Sequence, residues 1–293
     1  MRAARLRMKA LGREEGDPGM ALDVPALNAF YASEQGAVVA RLLRQRLAAL
    51  WPESGKGLSI LGLGFAAPYL RLWRDQAARC IHAVPAEFGT VRWPGFGANL
   101  TCAVEGEALP FPDLSFDRIL IVHGLETAGN ARRLLREVWR VLRDDGRLLV
   151  IAANRVGLWA HVETTPFGQG EPYSPGQIER LLRQSLFRVE RRESALYLPP
   201  FNVRPLLRLA PLFEAGGRRF LPRFAGVALA EAVKDVYAGV TVRPAARRKL
   251  VLADARLGRL AALSPPPPPA EPEGAGRAAQ SAPDFSPARR RTV

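Results

Sequence analysis

Five short apolar runs rich in branched side chains recur along the first half of the chain: LSIL (58–61), RCIHAV (79–84), NLTCAV (99–104), FDRILIV (116–122) and RLLVIAA (147–153). Runs this short and this apolar suit strands covered on both faces, as in a parallel sheet; a half-solvated sheet would alternate polar with apolar residues. Parallel neighbours need long crossovers, and helices fill them. Between the last two runs, NARRLLREVWRVLR (130–143) places Ala131, Leu134, Leu135, Val138 and Leu142 at helical spacing. Arg132, Arg133, Arg136, Glu137, Arg140 and Arg143 fall on the other side. The spacing predicts a helix lying on a sheet with its charges in water. The chain is read as α/β, with helices crossing over a mostly parallel sheet.

After the fifth run comes a loop, NRVGLWAHVETTPFGQGEPY (154–173). Ser174 with Gln177 three residues on then forms a capping-box pattern with Pro175 at the first helical position, so a helix is predicted to start there. FRVERRESALYL (187–198) reads as a strand. Residues 199–224 read as an inserted cap segment holding VRPLLRLAPLF and GGRRFLPRF. GVALAEAVKDVY (226–237) reads as a closing strand whose alanines leave a helix open. Residues 264–293 open on a five-proline run and are too poor in large apolar residues to fold, which predicts a disordered tail. Residues 1–19 are expected to be a flexible extension, which leaves 20–263 as the folded domain.

At 293 residues and 48% hydrophobic content the chain can bury a sizeable core. It has no apolar run near eighteen residues, and MRAARLRMKALGREEG has no apolar centre of the kind a secretion signal needs, so a cytoplasmic location is expected. Cys80 and Cys102 sit in strand-like runs without metal-ligand spacing and are expected to be structural thiols; no metal site is expected. The net charge of +14 is concentrated in residues 188–263, which carry fifteen basic and six acidic residues. Arginine so outnumbers lysine that a G+C-rich coding sequence is one explanation; a basic surface meeting an anionic partner is the other.

The stretch LSILGLGFAAPYL (58–70) looks like a strand, a glycine turn and a helix. In a doubly wound sheet the ligand lies beyond the carboxyl ends of the strands at that turn, where glycine permits close approach and positive φ, and the following helix is expected to offer its first amides. Gly62 and Gly64 stand there. VEGEALPFPDLSFDRILIVHGLE (104–126) follows at a suitable distance, and LLREVWRVLRDDGRLLV (134–150) after it. With these segments the chain resembles the class I S-adenosylmethionine-dependent methyltransferases, in particular the small-molecule group. In that group an acid, here Glu105, precedes L-P-F, here Leu109 to Phe111, and then F-D, here Phe116 and Asp117.

The resemblance implies a Rossmann-like methyltransferase fold with a doubly wound, mostly parallel seven-stranded sheet. It implies S-adenosylmethionine as cofactor and a small molecule as methyl acceptor. Gly62 and Gly64 match the loop under the cofactor, Glu105 the acid beside the adenine, and Gly106 an exposed amide after it. Val122 and His123 match the border of cofactor and substrate. Three positions depart from the family: Ile60 and Val84 stand where acids are usual, and Ala66 where a third glycine is. Glu87 lies three residues beyond Val84, and DDG (144–146) replaces the usual turn before the fifth strand. A hydrogen bond to a charged group contributes about 1.5–3 kcal/mol, so losing two without replacement would cost roughly 3–6 kcal/mol of cofactor affinity.

His123 and His161 are the candidate general bases. Asn154, Arg155, Trp159, Phe167 and Tyr173, in or bordering the loop after the fifth strand, are the candidate acceptor-pocket residues, the alternative being that Trp159 and Phe167 pin the loop to the core; Tyr31 reads first as a packing residue and second, as in similar enzymes, as one that folds over the cofactor. The segment 199–224 mixes leucine, phenylalanine and arginine, as a lid over an apolar substrate or a patch on an anionic membrane surface would. Two functional readings stay open: a methyltransferase, or a non-catalytic scaffold of the same fold that meets an anionic partner. GLGFAA (62–67) also fits a dinucleotide fingerprint, but the acid that fingerprint needs is missing at the end of the second run. No base-reading motif for nucleic acid is present.

Overall fold

The computed structural model describes residues 24–52, 55–90 and 92–236. The expected N-terminal extension (1–19) and proline-rich tail (264–293) lie outside the described residues. α1 (Val24–Ala32) and α2 (Glu34–Leu50) lead into β1 (Ser59–Gly64), α3 (Ala67–Leu70), β2 (Arg79–Pro85), β3 (Thr101–Val104) and β4 (Phe116–Val122). α4 (Ala131–Val141), β5 (Leu142–Ala153), α5 (Pro175–Gln184), β6 (Phe187–Ala195), α6 (Arg204–Arg208), α7 (Ala210–Phe220) and β7 (Val227–Lys234) follow. The seven strands make one sheet in the order β3-β2-β1-β4-β5-β7-β6. β1 to β5 pair in parallel, and β7 runs antiparallel between β5 and β6. The mostly parallel, doubly wound sheet expected from the sequence is thus the one observed.

Alternate residues of the central strands feed two cores. Leu120, Val122, Leu149 and Ile151 pack with Leu43 and Leu47 of α2, Tyr69 and Leu70 of α3, and Leu207 of α6. Ile119, Ile121, Leu148 and Val150 pack on the other face with Leu135 and Val138 of α4 and Ile178 and Leu182 of α5. The alanines that left β7 ambiguous have a packing role: Ala228, Ala230 and Ala232 face α5 and are too small to hold that helix away. No helix among the described residues is long and apolar enough to cross a membrane.

Local signals explain most boundaries. Asn130 caps α4 by accepting from the Arg133 amide at 3.1 Å. Ser174 and Gln177 form the reciprocal capping box at the start of α5. Three details differ from expectation. α3 is a single helical turn, after which bonds from Leu72, Trp73 and Arg74 back to Tyr69 and Leu70 continue the chain as turns; Tyr69, Leu70 and Trp73 hold this short crossover in the core. β5 begins at Leu142, so the DDG segment is a bulged strand start and not a separate turn. Arg140, assigned above to a solvated helix face, instead clamps the ALPF loop. It donates to the carbonyls of Leu109 and Phe111, both at 2.8 Å, and pairs with Glu137 and Asp113, both at 2.7 Å. Glu137 in turn accepts from the Leu109 amide, and its bond to Arg140 holds its carboxyl below the usual range.

Candidate active site

β1 lies where the sheet order reverses, with β2 on one side and β4 on the other, so its carboxyl end opens into the crevice where open α/β sheets bind ligands. The two glycines of the turn have different duties. Gly64 adopts φ +75°, and a Cβ on it would lie 2.3 Å from the Val122 carbonyl oxygen; the Phe65 amide donates to that same oxygen at 2.8 Å. Only glycine lets β1 turn this close to the end of β4. Gly62 faces away from the crevice: a Cβ there would lie 2.6 Å from Leu70 Cδ1 and 2.7 Å from the Ala66 methyl. It lets α3 sit down on the strand, with Ala66 filling the space beside it.

Beyond these strand ends is a cavity of about 460 Å³ whose walls include Gly64, Glu87, Glu105, Gly106, Gly124 and Thr127. Of the residues matched to cofactor binding, Gly64, Glu105 and Gly106 line it, while Gly62 lies behind its wall. Val122 is also behind it, fully buried, and contributes the carbonyl that receives Phe65. Glu105 stands at the end of β3, and Glu87 in a short 3-10 turn (Ala86–Phe88) at the end of β2. Both are exposed, and neither has an ion-pair partner among the described residues. Glu107 beside them is bound to Arg133 at 2.9 Å.

The positions that lost their acids are apolar inside as well as in sequence. Ile60 is buried in the α2 and α3 core. Val84 clusters with Leu27 and Phe65, and Tyr31 and Phe88 pack against that cluster, so it anchors α1 over the turn and does not touch the cavity. The carboxylate at this strand end is therefore Glu87. The cavity fits the adenosine half of S-adenosylmethionine by its chemistry. Ala83, Val104 and Leu134 offer apolar wall to a base, two unpaired carboxylates can accept from an exocyclic amine and from ribose hydroxyls, and the volume lies in the ordinary range for ligand sites of about 300–1,000 Å³.

Behind this cavity the end of β4 carries a buried polar chain. His123, at φ +53°, places Nε2 3.0 Å from the Tyr31 hydroxyl, which is 2.9 Å from the Tyr69 hydroxyl. Its Nδ1 lies 4.0 Å from Glu126 Oε1, and that oxygen accepts from the Ala153 amide at 2.6 Å. Burial moves these groups in opposite charge senses but toward the same neutral state: His123 falls to about 3, Glu126 rises to about 7. His82, which bonds the Gly64 carbonyl at 3.0 Å, falls to about 4 through burial. Glu126 was missed in the sequence, although it is the sole acid between Asp117 and Glu137 and follows a candidate base by three residues.

These shifts give a stability prediction. Between the unfolded value of 4.5 and about 7 the folded chain keeps a proton on Glu126 that the unfolded chain releases, so stability falls as pH rises through that window. The histidines act oppositely, costing stability as pH falls from 6.5 toward about 4 and 3. Glu126→Gln removes the first effect. Urea unfolding should show the variant gaining roughly 2–3 kcal/mol on wild type between pH 4.5 and pH 8, and equal pH slopes would show that Glu126 is not buried as a neutral acid.

The loop after β5 packs where an acceptor pocket was expected. Trp159 and Phe167 are fully buried; the Trp159 indole donates to the Leu198 carbonyl at 2.6 Å, and Phe167 lies edge-on to His123 with centroids 4.8 Å apart. Buried Asn154 donates to the carbonyls of Arg223 and Ala225 at 3.1 and 2.8 Å. Arg155 reaches the Pro172 carbonyl, and Tyr173 exchanges backbone bonds with Ala153 and Arg155. His161 is exposed in a 3-10 turn (Leu158–His161). None of these lines the cavity of 460 Å³. Phe30 and Tyr31 of α1 complete an aromatic plug over His123, with Tyr31 stacked on Phe65 at 5.3 Å.

Residues 61–150 match the family model described as methyltransferase domain. The chain is 48% identical over 58 residues to the ubiquinone/menaquinone biosynthesis C-methyltransferase UbiE of Hahella chejuensis, a stretch covering 20% of this chain and 23% of that protein. It is 31% identical over 102 residues to an uncharacterized protein of Mycobacterium tuberculosis, covering 32% of this chain and 36% of the relative. The chain thus spans well under half the length of the curated relatives it matches. Among solved structures, a chain from the complex between the Haloferax volcanii Trm112 methyltransferase activator and the putative methyltransferase shares the fold. Its TM-score is 0.51 at 17% identity, over 71% of this chain and 97% of that one. Over the matched segment, which runs from β1 into β5, the chain is similar to the class I S-adenosylmethionine-dependent methyltransferases, and the sheet built around that segment has the fold of the solved chain.

Proposed function

We propose that this chain binds S-adenosylmethionine in the cavity at the ends of β1 to β4 and methylates a small-molecule acceptor. The observation that carries the reading is the pair of unpaired carboxylates, Glu87 and Glu105, at neighbouring strand ends around a cavity whose backbone turns at Gly64. Glu105 accepts from the adenine amine, with Gly106 offering an open backbone beside it, and Glu87 holds the ribose in place of the acid absent at Val84. When bound, the cofactor supplies an electrophilic methyl group for in-line displacement by the acceptor. The chain's part is orientation and exclusion of water. At neutral pH His123 is an uncharged imidazole whose Nε2 meets the Tyr31 hydroxyl; burial lowers it to about 3, so it is a weak base, and the pair serves to hold α1 against the end of β4. The partial likeness to a quinone-biosynthesis C-methyltransferase makes a quinol-like ring the first acceptor class to test.

The second reading, a non-catalytic scaffold, is favoured by one observation: Ile60 and Val84 are buried apolar residues where the family usually holds acids. Calorimetric titration of S-adenosylhomocysteine into the full chain separates the two. Saturable binding near micromolar supports the enzyme reading. No heat up to millimolar ligand, from a chain with a cooperative unfolding transition, leaves the scaffold.

A further inference from the structure

Between Glu193 and Glu231 the chain has five arginines and a single acid, Glu214. The fold turns that acid inward. Glu214 is buried, and its Oε1 accepts from the Tyr197 amide at 2.6 Å. Leu207, Ala210 and half-buried Phe213 point the same way, and Gly217 meets the Tyr197 ring, so α6 and α7 lie on the sheet by one side only.

α6 and α7 place no carboxylate of their own on the outer side, although Arg218 borders a groove that Glu179 and Glu193 also line. The outer side carries Arg208, Arg218, Arg219 and Arg223, none ion-paired among the described residues, while Arg204 is held by Glu34 at 2.8 Å. Interleaved with them are large apolar side chains in the open: Leu209 is 45% exposed, Leu212 67%, Phe220 77%, Leu221 54% and Phe224 52%. Isolated apolar residues on a surface need no explanation, but five within sixteen residues, ringed by cations, do. Side-chain contacts tie this surface to the loop after β5. The Asn154 side chain at the end of β5 holds the carbonyls of Arg223 and Ala225, and Trp159 packs on Gly226.

We propose that the outer side of α6, α7 and the turn to Phe224 docks on an anionic phospholipid surface. The arginines meet phosphate and carboxylate headgroups, and the leucines and phenylalanines enter the boundary with the acyl chains. Charge decides the occupant: an apolar face meant for a second copy of this chain would place four unpaired arginines against four more. The inference does not depend on methyl transfer, and a failed cofactor titration leaves it standing.

The test is flotation of the full chain with phosphatidylcholine vesicles and with vesicles holding a large fraction of phosphatidylglycerol. Retention on the anionic vesicles alone is expected. Arg218→Glu with Arg219→Glu should lower partitioning about thirtyfold or more, since each cation near such a surface contributes roughly fivefold. Leu212→Ser with Phe220→Ser should weaken it at unchanged charge. These side chains are exposed, so circular dichroism should show the fold intact. Failure to float, or flotation that both pairs of substitutions leave untouched, overturns the proposal. So does a change of mass in light scattering caused by the apolar substitutions in a chain that ignores vesicles, which would make the face a contact between copies.

Discussion

Gly64→Val is expected to cost about 3–5 kcal/mol of folding stability, enough to leave a chain of ordinary stability partly or wholly unfolded. Two costs combine. A left-handed backbone at φ +75° carries a penalty of about 1–2 kcal/mol for any side chain and more for a branched one. The new Cβ would also stand 2.3 Å from the Val122 carbonyl oxygen and 3.0 Å from the Gly124 amide, both backbone atoms that cannot swing aside. β1 and β4 would have to part at the centre of the sheet, with an overpacking cost of a further 1–3 kcal/mol or so. Gly106→Ala is the internal comparison. A Cβ there meets only Leu134 Cδ1 at 3.9 Å, so stability should move by less than about 0.5 kcal/mol. Denaturant midpoints of the two variants check both statements, and a Gly64→Val protein as stable as wild type would show that the strands do not approach as described.

Glu105→Ala and Glu87→Ala should each weaken S-adenosylhomocysteine binding by roughly 10- to 100-fold, and the double variant by roughly 100- to 10,000-fold. Each carboxylate would lose a charge-assisted hydrogen bond contributing about 1.5–3 kcal/mol, and each 1.4 kcal/mol is tenfold. Both side chains are exposed and unpaired among the described residues, so melting temperatures should not move. That separation of affinity from stability marks a ligand role. If Glu105→Ala weakens binding and Glu87→Ala does not, the ribose is held by backbone alone, and the acid missing at Val84 has no replacement.

The parts of this architecture legible in the sequence were those set by local pattern. β1 to β5 announce themselves as short branched runs, α4 by its 3.6-residue stripe, and α5 by a capping box whose two hydrogen bonds form as the side chains dictate. What stayed hidden depends on which distant backbone passes by. Gly62 and Gly64 look alike in the string LGLG, yet one accommodates a helix and the other a neighbouring strand. Arg140 shares its stripe with five other charged residues, and only the return of the ALPF loop across α4 turns it into a clamp. Trp159 and Phe167 suit a pocket by composition, as aromatic residues past a strand end do. The same composition suits a plug, and packing makes it one here. Glu126 escaped notice because a lone acid normally lies in water; its burial follows from the Ala153 amide, 27 residues away in sequence.

The corner between α1 and α2 has no slack. Ser33 donates its hydroxyl to the Phe30 carbonyl at 2.6 Å and accepts from the Gly36 amide at 3.0 Å, and a Cβ on Gly36 would lie 2.0 Å from that same carbonyl oxygen. A helix fixed so tightly at one end, and held by Tyr31 to both Tyr69 and His123, cannot swing upward as a door without unravelling the first turn of α2. α1 contributes nothing to the lining of the cavity of 460 Å³, which is bordered instead by the turn that carries Glu87 and by the start of the loop after β3. Because α1 holds its place without touching that border, the two exposed carboxylates there are free of the helix, and a change at Glu87 or Glu105 is expected to leave the α1 corner undisturbed.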